Sequence, residues 1–195
     1  MTSSPQPLEI TPDTTVEPLQ AHAKTERDDQ DRMVSPDEPA DALSTPAEHE
    51  RFAEYLHALA MVPDAEETAS VAAVLGDPDQ VMAQSAVVRH LDARAAALHR
   101  VPDFSAWARR MAAAVELHSF AAQRLREWSL ISAIALNADW GPDELVAASD
   151  WTQRKVAEST TSFEALAILT QSGRTRRVRN TANARSLRGN SARSE

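Results

Sequence analysis

The stretch Asp77–Leu98, DPDQVMAQSAVVRHLDARAAAL, decides the fold of this chain. It opens with a Pro between two carboxylates, which is typical of a capped helix N-terminus. Apolar and small residues then recur at intervals of three, four or seven, as one side of a helix requires. These residues are Val81, Ser85, Val88, Leu91, Ala95 and Leu98. The stretch therefore predicts a helix with one buried side.

The same pattern of helix caps and helix breakers recurs on both sides of this stretch. Capping boxes stand at Thr45–Glu48, Asp64–Glu67 and Thr161–Glu164, and helix breakers follow at Pro63, Gly76 and Gly173. Apolar residues never alternate over a stretch long enough for a strand. The sequence predicts an all-α fold of antiparallel helical hairpins, stacked as a short irregular α-solenoid or bundle.

Two later segments indicate the core. One helix carries an apolar stripe at Phe104, Trp107, Met111 and Val115. The segment 128–136 is apolar nearly all round, so we expect it to be the most buried element. The four Trp residues are expected to fill the core or helix interfaces, because large aromatic side chains bury readily. They are Trp107, Trp128, Trp140 and Trp151.

Composition divides the 195 residues into three zones. Residues 1–45 hold six Pro, ten acids and three bases, and their isolated apolar residues predict a disordered acidic tail. Residues 46–172 form the predicted helical domain, with eighteen acids and ten bases. Residues 173–195 hold seven Arg and one Glu, and predict an Arg-rich C-terminal helix or tail. The chain as a whole carries a net charge of −9.

The composition also indicates the source organism and the cellular compartment of the protein. The chain has no Cys, which excludes a disulfide scaffold, a thiolate zinc site and a cysteine nucleophile. Lys occurs only at positions 24 and 155, and this excess of Arg is typical of a GC-rich bacterial genome. The N-terminus lacks the pattern of a secretory signal, and the longest apolar run is far below the roughly 20 residues of a membrane span. We expect a cytoplasmic protein with no membrane contact.

Motifs that carry chemistry are missing from the sequence. Glu54 and His57 have the Glu-x-x-His spacing of half a di-iron site, but no second copy exists. With four Gly in the whole chain, neither a nucleophile elbow nor a phosphate-cradling Gly loop can be built. The sequence therefore predicts no catalytic residue, no cofactor and no metal site, and a protein that is not an enzyme.

Two stretches resemble known helical repeats. Val74–Val81, together with Ala86–Leu91, resembles the turn and second helix of HEAT-type repeats. The segments Ala148–Ala157, Phe163–Leu169 and Arg177–Asn180 are similar in cadence to variant leucine-rich repeats. This resemblance implies an α-solenoid scaffold that binds an unknown protein partner on one face, and it implies no catalytic residue.

The Arg-rich end predicts a second kind of contact. A polyanion, or another partner, could be held by Arg174, Arg176, Arg177, Arg179, Arg185 and Arg188. Three interpretations remain open: the end is a solvated last helix whose Val178, Ala182 and Leu187 touch the body, it docks on the protein's own acidic surface, or it binds nucleic acid.

An alternative function depends on residues 142–158, which resemble a helix-turn-helix. The apolar positions of that motif match Leu145, Trp151 and Val156, whereas Val146, Asp150 and Ser159 depart from its pattern. The resemblance implies that bases or phosphates would be contacted by Thr152, Gln153, Arg154 and Lys155. The chain is thus predicted to be a non-enzymatic scaffold for protein–protein interaction, with a DNA-binding regulator as the alternative.

Overall fold

A computed structural model describes the backbone of residues 44–191 and the side chains of residues 47–189. This part of the chain folds into helices only, which confirms the all-α prediction. The helices are α1 Ser44–Met61, α2 Glu67–Leu75, α3 Gln80–Leu98, α4 Phe104–Val115, α5 Ser119–Ala135, α6 Pro142–Ala147, α7 Asp150–Ser159, α8 Phe163–Ser172 and α9 Arg176–Ser191. Among these helices none combines the length and apolar character that crossing a bilayer requires.

The helices pack in two rows. The odd-numbered helices α1, α3, α5, α7 and α9 contact one another in series. In the second row, α2 contacts α4, and α6 contacts α8. Some neighbours in sequence also contact one another: α1 with α2, α2 with α3, α4 with α5, α7 with α8 and, most extensively, α8 with α9. Each hairpin therefore buries its apolar side against the next, which is how short helices that are marginal alone become stable.

The predicted apolar stripe of α4 is confirmed. Phe104, Trp107, Met111 and Val115 are all buried. α5 contacts α3, α4 and α7, so it is covered on several sides, as its apolar character predicts. Trp107 and Trp128 are buried, while Trp140 and Trp151 pack against the core from its edge.

In α3 the prediction is partly wrong. Val88, Leu91 and Ala95 are buried, but Val81 is 81% exposed. Val81 lies in the first turn of α3, and the buried side of the helix begins instead at Ala83. Ala83, Ala86 and Ala95 lie on the buried side beside larger apolar residues. Where helices pack closely, the space between them admits only a methyl group.

Most predicted helix starts lie a residue or two from the real caps. Asp79, rather than Asp77, caps α3 by accepting the amide N–H of Met82. Ser149 caps α7 and Ser162 caps α8 in the same way. At α2 the expected capping box is absent, because Glu66 makes no side-chain cap bond.

The ends of the helical zone also differ from the composition zones. Ser44 and Thr45, the last two residues of the predicted tail, belong to α1. The rest of that predicted tail, residues 1–43, lies outside the described residues. At the other end, α9 packs on α7 and α8, with Val178 and Ala182 buried.

The joint between α5 and α6 has a defined backbone motif. Asn137 has a positive φ of 51°, a conformation that Asn and Gly adopt most readily. The amide N–H of Ala138 donates to the carbonyl oxygen of Ala133 at 2.9 Å, and that of Asn137 donates to Ile134 at 3.4 Å. This pair of bonds is a Schellman motif, which satisfies the last carbonyls of α5 and turns the chain toward α6.

Candidate functional site

A buried carboxylate joins three helices in the first half of the domain. Glu67 of α2 lies 2.8 Å from Nε2 of His90 on α3. Its Oε1 also accepts from Nε of Arg94 at 2.9 Å, and both of its oxygens lie 3.1 Å from the indole nitrogen of Trp107 on α4. Arg94 reaches outward to Asp64 at 2.7 Å. The network therefore ties α2, α3 and α4 together through one side chain.

The electrostatics keep this carboxylate ionised. Burial alone would raise the pKa of Glu67, but hydrogen bonds from Arg94, Trp107 and His90 outweigh burial and hold the pKa below its ordinary value of 4.5. An ionised carboxylate only accepts hydrogen bonds, so the facing nitrogen of His90 must carry a proton. With its oxygens occupied by these donors, Glu67 is a structural anchor rather than a general base.

The sequence interpretation missed this anchor. In the sequence, Glu67 is the last residue of the predicted capping box Asp64–Glu67, at a helix N-terminus that favours acids. A signal was nevertheless present, because Glu67 stands four residues before Val71 and is on the same side of α2 as that buried residue. An acid in phase with an apolar stripe is a candidate for a buried, paired position.

A second cluster joins α3, α5 and α7. The guanidinium carbon of Arg124 lies 3.7 Å from the centre of the Trp151 ring. Trp128 packs edge-on against Trp151 at 5.5 Å and donates its indole N–H to Asp92 at 2.7 Å. Stacked guanidinium and indole groups of this kind stabilise an interface, as expected for Trp residues that fill helix contacts.

The structure removes two residues from the predicted DNA-reading set. Thr152 and Gln153 are both 0% exposed. Gln153 donates to the carbonyl oxygens of Leu145 and Val146 at 3.0 Å and accepts the amide N–H of Arg174 at 2.8 Å. A side chain engaged in this way is out of reach of a base edge, so burial is incompatible with the predicted role of these two residues.

The other two members of that set are only partly exposed. Arg154 pairs with Asp150 one turn away, at 3.5 Å. The ammonium of Lys155 lies 5.5 Å from the centre of the Trp128 ring. These two contacts hold the charged groups of Arg154 and Lys155 against other side chains of the protein.

Three of the C-terminal arginines bind backbone carbonyls at the ends of other helices. Arg174 donates to Ala148 after α6 at 3.3 Å, Arg179 donates to Gly173 after α8 at 2.6 Å, and Arg185 donates to Thr160 after α7 at 2.8 Å. Cations at helix C-termini satisfy orphan carbonyls and complement the helix dipole. These three arginines therefore bind helix ends, whereas one of the three open interpretations placed them on acidic side chains.

The remaining predicted arginines point outward. Arg176, Arg177 and Arg188 are exposed, and for them no carboxylate partner is present among the described residues. Residues 160–191 contain six Arg and a single acid, Glu164. The outer side of α9 is thus a surface of positive charge on a protein that is acidic elsewhere.

A different surface exposes apolar side chains. We name it the apolar end, and it consists of Val81, Leu117 and Phe120. Their exposed fractions are 81%, 92% and 51%. The turn between α4 and α5 is held against the start of α3 by two hydrogen bonds, from His118 Nδ1 to Gln80 and from the amide of Phe120 to Gln84. These bonds join the segment that carries Leu117 and Phe120 to the first turns of α3, where Val81 lies.

Metal ligands are not gathered anywhere in the described part of the chain: no group of three or more His, Asp or Glu residues is placed to hold an ion. No protein-family model, curated protein or solved structure gives a significant match to this chain.

Proposed function

We propose that this chain is a non-enzymatic α-helical scaffold that binds another protein, and that the partner docks on the apolar end. The observation that carries the proposal is the exposure of Val81, Leu117 and Phe120 on adjoining turns. Single exposed apolar residues are ordinary on protein surfaces, but adjoining ones mark contact sites. Burying one such side chain is worth about 1.5–3 kcal/mol, so three give a partner a substantial gain before the costs of association.

Charge around the apolar end indicates what kind of partner fits. Glu116 precedes Leu117, and Asp79 lies two residues before Val81. Acids at the rim of an apolar patch favour a partner with basic flanks, because complementary charge steers the encounter and fixes the orientation. The proposed partner is therefore a protein segment with apolar side chains and neighbouring Lys or Arg.

The arrangement of the helices supports a repeat scaffold. Thr175 lies 26 residues after Ser149, and each accepts the amide N–H of the third residue that follows, Val178 and Thr152 respectively. In each case the helix that follows buries the bonded residue. Two units built on the same plan, in series with the other odd-numbered helices, support the proposed kinship with α-solenoid repeats.

The experiment compares retention of partners by three forms of the full chain. Wild type, the double variant Leu117→Ser/Phe120→Ser and the control Val146→Ser are immobilised at equal density and exposed to the same host extract. Val146 is a suitable control, because it is a partly exposed apolar residue on α6.

The proposal expects a protein retained by wild type and by the Val146 variant, but reduced about tenfold or more on the double variant, since losing about 1.4 kcal/mol is a tenfold loss. Equal retention on all three forms would show that the apolar end is not the docking site.

The alternative, a helix-turn-helix regulator that uses residues 142–158, loses its main support with the burial of Thr152 and Gln153. The other support for this alternative is the Arg-rich end, which would contact phosphate groups rather than bases. Part of that end lines a separate cleft.

A further inference from the structure

A cleft of 430 Å³ lies between the start of α8 and the last turns of α9. Its walls include Thr160, Thr161, Phe163, Leu166, Arg185 and Arg188. The volume is within the range of roughly 300–1,000 Å³ that small-molecule sites occupy. Gly189 completes the wall, and a Cβ there would come within 3.0 Å of the Phe163 ring. The backbone of α9 therefore approaches Phe163 as closely as Gly permits.

One side of the cleft is cationic. Arg185 is held in place by its bond to the carbonyl oxygen of Thr160, and its Nε is buried without an acceptor among the described residues. Arg188 is exposed, and among the described residues its Nε bonds to the carbonyl oxygen of Ala184, one turn back in its own helix. Among the described residues that line the cleft there is no acid. Two guanidinium groups facing one space without a carboxylate favour an anion there.

The opposite side of the cleft is apolar. Phe163 and Leu166 contribute to this wall, and a bare inorganic ion offers no apolar surface to contact it. A ligand that uses both sides has an anionic head and an apolar or flat body. Two positive charges match a phosphate monoester, which carries about −1.5 to −2 charges at neutral pH, better than they match a carboxylate or a phosphodiester with one negative charge.

We propose that this cleft binds a small organic phosphate monoester, with its phosphate between Arg185 and Arg188 and its body against Phe163 and Leu166. The hydroxyl of Thr161 stands at the rim and adds a neutral donor for a phosphate oxygen. The site is independent of the apolar end, and it stands or falls separately from the docking of a protein partner.

The test titrates the full chain with phenyl phosphate, and in parallel with inorganic phosphate, benzoate and a single-stranded oligonucleotide without a terminal phosphate. Binding is followed by calorimetry and by the amide NMR signals of Thr161 and Gly189. The main variant is Arg188→Gln, since this exposed residue is not needed for packing. The matched control is Arg177→Gln, which removes the same charge from the same helix away from the cleft.

The proposal expects phenyl phosphate to bind once per chain and to shift both amide signals. Arg188→Gln should weaken binding about tenfold or more, because a charge-assisted hydrogen bond is worth about 1.5–3 kcal/mol. Arg177→Gln should change it less than about twofold, since an exposed charge outside the cleft is screened by salt. Benzoate and inorganic phosphate should each bind more weakly than phenyl phosphate.

Several results would overturn the proposal. Equal binding of inorganic and phenyl phosphate would show that the apolar wall takes no part. Equal losses for the Arg188 and Arg177 variants, with the oligonucleotide as the tightest ligand, would show that α9 binds polyanions along its whole outer side. Absence of binding by phenyl phosphate would remove the site altogether.

Discussion

Oε1 of Glu67 lies 2.8 Å from Nε2 of His90, in the buried interface where α2, α3 and α4 meet. The same carboxylate accepts from Arg94 and from Trp107. One side chain thus supplies the acceptors for donors on two other helices. Removing it would leave the ring nitrogen of His90, Nε of Arg94 and the indole N–H of Trp107 without this acceptor in a buried or half-buried position, which costs more than the bonds themselves contribute.

We therefore expect Glu67→Ala to lower the free energy of unfolding by roughly 3 kcal/mol, the usual cost of breaking a buried charged network. Urea denaturation at neutral pH, followed by Trp fluorescence, measures it. The control is Glu66→Ala on the neighbouring exposed residue, which should change stability by less than about 0.5 kcal/mol. Similar values for the two variants would mean that the network adds nothing to the fold.

Stability should also depend on pH through Glu67. The folded protein holds the pKa of Glu67 below its ordinary value of 4.5, because hydrogen bonds from Arg94, Trp107 and His90 outweigh the effect of burial. The stabilisation is fully present above pH 4.5 and is lost as the pH falls through the lower folded-state value. Urea midpoints between pH 7 and pH 3 should fall less steeply for Glu67→Gln than for wild type, and parallel curves would contradict this assignment.

Gln153 gives a third prediction, which separates a structural role from a DNA-reading role. Its amide bridges the end of α6 to the start of the turn before α9, through Leu145, Val146 and Arg174. Gln153→Ala should lower stability by about 2 kcal/mol, since it leaves buried backbone groups unpaired. Hydrogen exchange at the amide of Arg174 should speed up.

Arg154→Ala is the control for this position, because its ion pair with Asp150 is half-exposed and worth under about 1 kcal/mol. If the Gln153 variant were as stable as wild type, the bridge would not hold these helices together.

Two glycines provide a matched pair. A Cβ on Gly173 would lie 2.5 Å from the carbonyl oxygen of Leu169 and 2.8 Å from Cγ1 of Val178, whereas on Gly141 the nearest atom is Cβ of Glu144 at 3.7 Å. Gly173→Ala should destabilise by roughly 1–3 kcal/mol through overpacking. Gly141→Ala should be neutral or stabilise by up to about 1 kcal/mol, because it restricts the unfolded chain. Thermal melting compares them, and a loss no larger at Gly173 than at Gly141 would contradict the close packing of α8 on α9.

Much of the fold follows from the sequence because its signals are local. The stripe on α4, the break at Gly173 and the cap region before α8 each depend on residues within a few positions of one another. The exact caps did not follow, since two neighbouring Ser, Thr or Asp residues compete and packing decides between them. Val81 was misplaced for a different reason: periodicity gives the phase of a helix, but it does not show where the neighbouring helix ends.

The sites were harder to predict, because each joins residues far apart in sequence. The cleft between α8 and α9 brings Phe163 within reach of Arg185, although residues 173–195 themselves contain no aromatic residue. The apolar end combines Val81 of α3 with Leu117 and Phe120 near the turn between α4 and α5, two segments that are joined by the hydrogen bonds of Gln80 and Gln84. Side-chain hydrogen bonds between distant elements leave no periodic trace in the sequence.

The inner side of α9 has a practical consequence. Val178 and Ala182 are buried where this helix covers α7 and α8. Deleting the last helix to remove its arginines would also expose the apolar surfaces of α7 and α8 to water. We therefore expect the shortened chain to aggregate. A loss of activity in such a deletion would then be caused by aggregation rather than by the missing charge. Single substitutions of arginines on the outer side of α9 separate the two effects.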